Sequence, residues 1–329
     1  MAQSMAGERT LVYLWDLLLG RGNCGGWFAS SWILGTGDLR RSSFVPTITV
    51  DGIGLAYDVV GDGRRTAVIT PGGRFSKDTP GVRALAEKLA DDGLRVLIWD
   101  RPNCGESDLC FTGESESLMH ADALAGLLRS LGVYPALLVG GSAGSRVSVL
   151  TAIHHPDVVD RLFLLWISGG AVGLATLAFH YCHESLAAAA LGGMEAVAAL
   201  AGWKEQLARN PRNREKLLRQ DASAFIETMK RWASSFYPKK DSPIPGLVPS
   251  ELAALKIPVM VLRSGESDFH HPRETSEAVH AMIPESLIAE PPWGDREWIE
   301  RLKASAGGEG LFARWPLLAP QIQEFARNS

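Results

Sequence analysis

Short apolar runs alternate with segments of helical period along most of this chain. Thr47–Val50 and Gly54–Asp58 flank Asp51-Gly52, a dipeptide that favours a tight hairpin. Ala67–Thr70 reads as a buried strand that ends in Pro71-Gly72-Gly73. From Pro80 to Asp92, Val82, Leu85, Ala86 and Leu89 recur at the spacing of one helix face. Arg95–Trp99 is the next strand, and Leu118–Leu131 a helix with a stripe at Leu124, Leu127, Leu128 and Leu131. A strand from Ala136, a helix over Ala143–His154 and a strand over Leu162–Ile167 follow. Continuous apolar strands alternating with helices predict a mostly parallel sheet covered on both faces.

Residues 170–250 break the rhythm. They are Ala-rich and helical, with Trp203, Trp232, Phe236 and Tyr237 dispersed among them, and end in a Pro-rich exit. Strands return at Pro258–Arg263 and Ser286–Ala289. The pattern therefore predicts one α/β core, 44–169 with 251–329, interrupted after about its sixth strand by a helical cap over 170–250. Residues 11–19 are apolar, but Asp16 interrupts them and the run is too short to span a bilayer. Residues 1–43 are expected to lie outside the fold.

Composition narrows the function. The net charge is −4 and Lys and Arg are scattered, which excludes a nucleic-acid or anionic-membrane footprint. Four dispersed cysteines form no disulfide framework, and free thiols fit a cytoplasmic protein. The chemistry lies in Gly140-x-Ser142-x-Gly144, directly after a strand. This is the pattern of a nucleophile on a sharp strand-to-helix turn. Gly140 and Gly144, lacking Cβ atoms, let strand and helix approach. Ser142 is the expected nucleophile.

In this pattern the chain resembles the α/β-hydrolase superfamily, in its esterase and lipase-like branch with a helical cap. Pro71-Gly72-Gly73 matches the oxyanion loop, Asp100-Arg-Pro-x-x-Gly105-x-Ser107 the D-x-x-G-x-S segment, and Gly140–Gly144 the elbow. His155-Pro156-x-Val158 matches the entry to the following strand, and Gly265-Glu-Ser-Asp268 the acid loop. The resemblance implies oxyanion donors at the Gly73 and Ala143 N–H groups and an active-site acid at Asp268. One motif departs from the family. Its eighth strand usually leads to a catalytic histidine, whereas here Pro291-Pro292-Trp293-Gly294-Asp295 puts Asp295 at that position. None of the eight histidines lies beyond His280.

A serine hydroxyl needs a group to take its proton. Two sources stay open. Asp295 could share a proton with Asp268, or a displaced imidazole, His270 or His271, could swing towards Ser142. The alternative for these two histidines is a plain surface pair before Pro272. A base within about 2.6–3.2 Å of the serine oxygen would identify itself. Arg74, Trp166 and Trp293 are expected to line an apolar substrate pocket. His120 reads as a capping or packing residue, and His180 and His183 as a polar helix face.

These readings predict a cofactor-free, metal-free serine esterase for a small or medium hydrophobic ester, thioester or lactone. A small hydrophobic molecule is the expected partner, with no nucleic acid and no membrane span, and with a homodimer left open. Two rivals are a lyase or C–C bond-cleaving enzyme on the same scaffold, and a binding protein that lost its chemistry. Dehalogenase chemistry is disfavoured, because that branch carries Asp where Ser142 stands.

Overall fold

The computed structural model describes residues 45–239 and 241–327. The expected extension over 1–43 lies outside the described residues.

Eight strands form one sheet: β1 Thr47–Val50, β2 Ile53–Val60, β3 Thr66–Thr70, β4 Arg95–Trp99, β5 Ala136–Gly141, β6 Val159–Leu165, β7 Val259–Leu262 and β8 Leu287–Ala289. Their spatial order is β1-β2-β4-β3-β5-β6-β7-β8. The first two form an antiparallel hairpin in which Val50 faces Ile53. Asp51 and Gly52 both take positive φ, 48° and 81°, as the predicted hairpin requires. β2 runs antiparallel to β4, and all remaining neighbours pair in parallel.

Twelve helices surround the sheet among the described residues. In chain order they are α1 Val82–Asp91, α2 Glu116–Leu131, α3 Ala143–His154, α4 Ala171–Ala178, α5 Glu184–Ala199 and α6 Ala201–Arg209. They continue with α7 Asn213–Leu218, α8 Ala222–Ser234, α9 Pro249–Ala253, α10 Arg273–Met282, α11 Glu297–Ala306 and α12 Ala319–Arg327. A π turn, Phe179–His183, joins α4 to α5. No single described helix is long and apolar enough to cross a membrane.

Strand period decides the layers. Val68, Leu138, Leu162 and Leu164 point to one face, where they pack with Leu124, Leu128, Val147 and Val279. Their neighbours Ile69, Val139, Phe163 and Leu165 point to the other, against Leu85, Leu89, Trp315 and Phe325. Both faces are dry, which is why these strands carry no alternating polar residues. The helices between β6 and β7 build a third cluster, with Tyr181, Trp203, Phe225 and Trp232, which also takes in Ala143 and Met119. This insertion therefore rests over the end of the sheet where β5 meets α3. Its apolar packing ends early: Ile244 and Leu247 already belong to the layer under α10.

Two expected boundaries move for local reasons. The helix predicted from Leu118 begins at Glu116, because the Ser115 side chain caps it by accepting from the Leu118 N–H. The strand predicted to reach Ile167 stops at Leu165, where Trp166 turns to a φ of 49°.

Candidate active site

The turn between β5 and α3 is a close-packed device. A Cβ on Gly144 would lie 1.9 Å from the Thr70 carbonyl oxygen, and one on Gly140 would lie 2.4 Å from the Gly144 oxygen. Ser142 between them has φ 57° and ψ −118°, a strained conformation for a residue with a side chain. The surroundings enforce it. The Ser142 N–H donates to Leu165 O at 3.1 Å, and the Ser145 hydroxyl bridges the carbonyls of Gly140 and Leu165 at 2.7 Å each. Ser142 is left half-buried.

The loop after β7 reaches this hydroxyl. His271 Nε2 lies 2.9 Å from Ser142 Oγ, and His271 Nδ1 lies 2.8 Å from Asp268 Oδ2. The other Asp268 oxygen accepts the backbone N–H groups of His270 and His271, both at 3.1 Å. The tight Asp268-x-x-His271 loop thus holds its own carboxylate against its own imidazole. With Asp268 accepting at Nδ1, Nε2 is the nitrogen free to take a proton from the serine. Burial alone would push the Asp268 carboxyl up. The His271 imidazole and the Arg301 guanidinium outweigh it and keep the group below the usual carboxylate range.

Three further side chains brace this chain of contacts. Arg301, on α11, lies 3.1 Å from Asp268 Oδ2, and its guanidinium sits 3.8 Å over the Trp166 ring. Trp166 also stacks on His271, with ring centroids 6.2 Å apart at 28°. Ser168 Oγ stands 3.4 Å from Ser142 Oγ. Trp293 packs against Trp166 at 5.8 Å. The two predicted tryptophans therefore come together, with Trp166 backing the imidazole.

Asp295 goes elsewhere. Its carboxylate is exposed and pairs with Arg273, and its backbone oxygen accepts from Ser267. The base expected from either side is thus brought to Ser142 only as His271. The physical reason is that the segment after β8 leads into α11, which delivers Arg301 rather than a proton acceptor. The sequence reading missed Arg301; its one signal was the long stretch between Asp295 and Arg314.

The loop after β3 presses on the serine from the opposite side. A Cβ on Gly72 would lie 2.5 Å from Ser142 Cβ, so only glycine fits there. Arg101 Nη2 donates to the carbonyls of Gly72 and Gly73, at 3.2 and 2.6 Å, and fixes their peptide planes. Among the described residues, neither the Gly73 nor the Ala143 N–H donates to a backbone acceptor outside regular elements.

Arg74 is engaged differently from the expectation of a bare pocket residue. Its guanidinium pairs with Glu116 at 2.8 Å and stacks over Tyr181 and Trp203 at 5.2 and 5.3 Å. It thereby ties the loop after β3 to α2 and to the helical insertion. Burial pushes the Glu116 carboxyl up, but Arg74 overrides this and holds its pKa down to about 2. Unfolded glutamate titrates near pH 4.3. The folded value is the lower one, so the pair stabilises the fold above about pH 4.3 and that stabilisation is lost as pH falls towards 2. Urea unfolding between about pH 5 and pH 3 should show a falling stability that Glu116→Gln flattens. An unchanged slope in that variant would show that the pair is not the titrating element. Burial shifts two other groups towards their neutral forms. Burial pushes His120 down to about 3, with its Nε2 2.9 Å from Pro102 O, which is the predicted packing role. Burial pushes Asp100 up to about 6.

Comparison with known proteins bears on the fold. A family described as having the α/β hydrolase fold matches residues 71–249, more than half of the chain. That span holds the Gly72-Gly73 loop and Ser142 and stops short of Asp268 and His271. The sn-1-specific diacylglycerol lipase ABHD11 of Mus musculus is 34% identical over 130 residues, 39% of this chain and 41% of the relative. The 2-hydroxy-6-oxo-6-phenylhexa-2,4-dienoate hydrolase of Comamonas testosteroni is 28% identical over 115 residues, 35% of this chain and 40% of the relative. The chain thus matches about two fifths of the length of these curated relatives. Among solved structures, a thermophilic esterase from Thermogutta terrifontis superposes with a TM-score of 0.55 at 23% identity, covering 87% of this chain and 98% of that one. An enol-lactonase from Burkholderia xenovorans LB400 gives 0.54 at 18% identity, covering 85% and 99%. The sheet order, the elbow and the matched span lead to one assignment: the chain belongs to the α/β-hydrolase fold family.

Proposed function

We propose that the protein is a serine hydrolase acting on a small or medium hydrophobic ester, thioester or lactone. The observation that carries this reading is the unbroken hydrogen-bonded chain from Ser142 Oγ through His271 to Asp268. In this reading Ser142 Oγ attacks the substrate carbonyl while His271 Nε2 takes its proton. Asp268 stabilises the imidazolium that forms. The N–H groups of Gly73 and Ala143 receive the oxyanion, each donor worth about 3 kcal/mol at the transition state. His271 then protonates the leaving alcohol, thiol or lactone oxygen. Water, deprotonated by the same nitrogen, cleaves the acyl-enzyme. Helices α4–α8 act as a cap that excludes bulk water.

A fluorophosphonate probe tests the nucleophile. It should label the native protein and fail to label Ser142→Ala. Equal labelling of the folded variant would end this reading. Several relatives are hydrolases of 2-hydroxy-6-oxo-dienoates, and they favour that second substrate class. It would use the same residues, and turnover of such a compound with no turnover of p-nitrophenyl esters would select it.

A further inference from the structure

Beneath the helical insertion, one turn along α3 from Ser142, lies a charge imbalance that the hydrolytic machinery does not use. Arg74, Arg101 and Arg146 all act on the Tyr181 phenol, and Glu116 is the carboxylate among them. Glu116 is already taken by Arg74 and by Asn103 Nδ2 at 3.0 Å. Among the described residues no carboxylate pairs with Arg101 or Arg146 within salt-bridge distance. Both are 1% exposed. Arg146 Nη1 and Arg101 Nε are buried without a hydrogen-bond partner. The Arg146 guanidinium has neutral partners: a hydrogen bond with the Tyr181 phenol, Ser117 Oγ at 3.4 Å from Nε, and the Phe236 ring at 5.2 Å.

A buried cation without a counter-ion is strongly disfavoured, so an incoming anion would relieve a standing cost there. The position is informative. Arg146 lies in the first turn of α3, which starts directly after Ser142. Arg101 already holds the Gly72-Gly73 loop against the serine. We propose that Arg146, supported by Arg101, is a carboxylate subsite, and that the substrate carries an anionic carboxylate a few bonds from its reacting carbonyl. A planar two-oxygen anion matches the guanidinium fork. The orphaned Nη1 would then gain an acceptor, and the positive excess under the cap would be neutralised on binding. The reaction assigned to such a substrate rests on the hydrolase reading; the anion site does not.

The test pairs p-nitrophenyl hydrogen glutarate with p-nitrophenyl valerate, its uncharged analogue of the same chain length. The native protein should favour the glutarate ester in kcat/KM by about tenfold or more, the range expected of a buried charged hydrogen bond. Arg146→Met should erase that ratio, and Arg146→Lys should restore part of it. Binding is read separately, as the thermal shift of Ser142→Ala with glutarate, valerate or inorganic phosphate. Glutarate should raise its melting temperature, valerate less, and the shift should vanish in Ser142→Ala/Arg146→Met. Should Arg146→Met not fold, the single Ser142→Ala variant still decides. A preference for the valerate ester, or no stabilisation by glutarate, overturns the subsite. Stabilisation by phosphate exceeding that by glutarate also overturns the carboxylate assignment. Glutarate binding with no turnover of either ester supports the subsite and removes the hydrolase reading instead.

Discussion

Replacing His271 by alanine should lower p-nitrophenyl ester hydrolysis by about 10⁴-fold or more, the scale seen when one member of a serine–histidine–aspartate set is removed. Asp295→Ala should change it by no more than about twofold, as a surface substitution does. The contrast follows from where the two side chains sit. His271 Nε2 is 2.9 Å from Ser142 Oγ, held by Asp268 below and Trp166 alongside. Asp295 is exposed and occupied by Arg273. A carboxylate with an ordinary pKa near 3.9 is also a poor base for a serine at neutral pH, whereas imidazole near 6.5 is well matched. The measurement is kcat/KM for both variants, with circular dichroism to confirm folding. An inactive Asp295→Ala beside an active His271→Ala would overturn the assignment of the base. Because Asp268 is held by both His271 and Arg301, loss of the imidazole leaves the carboxylate paired, and the fold should tolerate the change.

Gly144→Ala should destabilise the protein by about 3 kcal/mol, at the upper end for inserting one buried carbon. The new Cβ would be placed 1.9 Å from Thr70 O and 2.7 Å from its carbonyl carbon, both backbone atoms of a central strand. Neither can step aside without opening the pairing of β3 with β5. Gly202→Ala is the matched control. Nothing lies within 4 Å of a Cβ there, and the residue is in α6, so stability should hold or rise slightly. Thermal unfolding of the two variants gives the comparison. A melting temperature for Gly144→Ala equal to the native one would mean that the elbow is not as tightly packed as described. The same variant should lose labelling at Ser142, since the nucleophile depends on that turn.

Much of this molecule was legible along the chain. The β1–β2 hairpin, the strand Arg95–Trp99, the helix Ala143–His154 and the elbow at Ser142 each announce themselves within a dozen residues. Their signals are spacings of two or 3.6, a turn dipeptide, or glycines around a bend, and local sterics read them directly. The place of Asp268 was legible for the same reason, as a loop residue directly after a buried strand.

The base was not. Asp295 occupied the expected place after the eighth strand, and a pair of histidines before a proline reads equally well as surface. What separated them was the course of two chain segments far apart. His271 meets a serine 129 positions earlier, and Asp268 is held by an arginine 33 positions later. Arg74 read as a pocket residue until Glu116, 42 positions on, was seen to take its charge. The excess of guanidinium around Arg146 likewise exists only where α2, α3 and the insertion converge. The sequence by itself determined the sheet, the turn and the place of Ser142 on it, because backbone conformation answers to neighbours. Which acid, base and cation face one another was decided only by the tertiary structure, because electrostatic partnership depends on distance in space and on burial, and neither is written in local order.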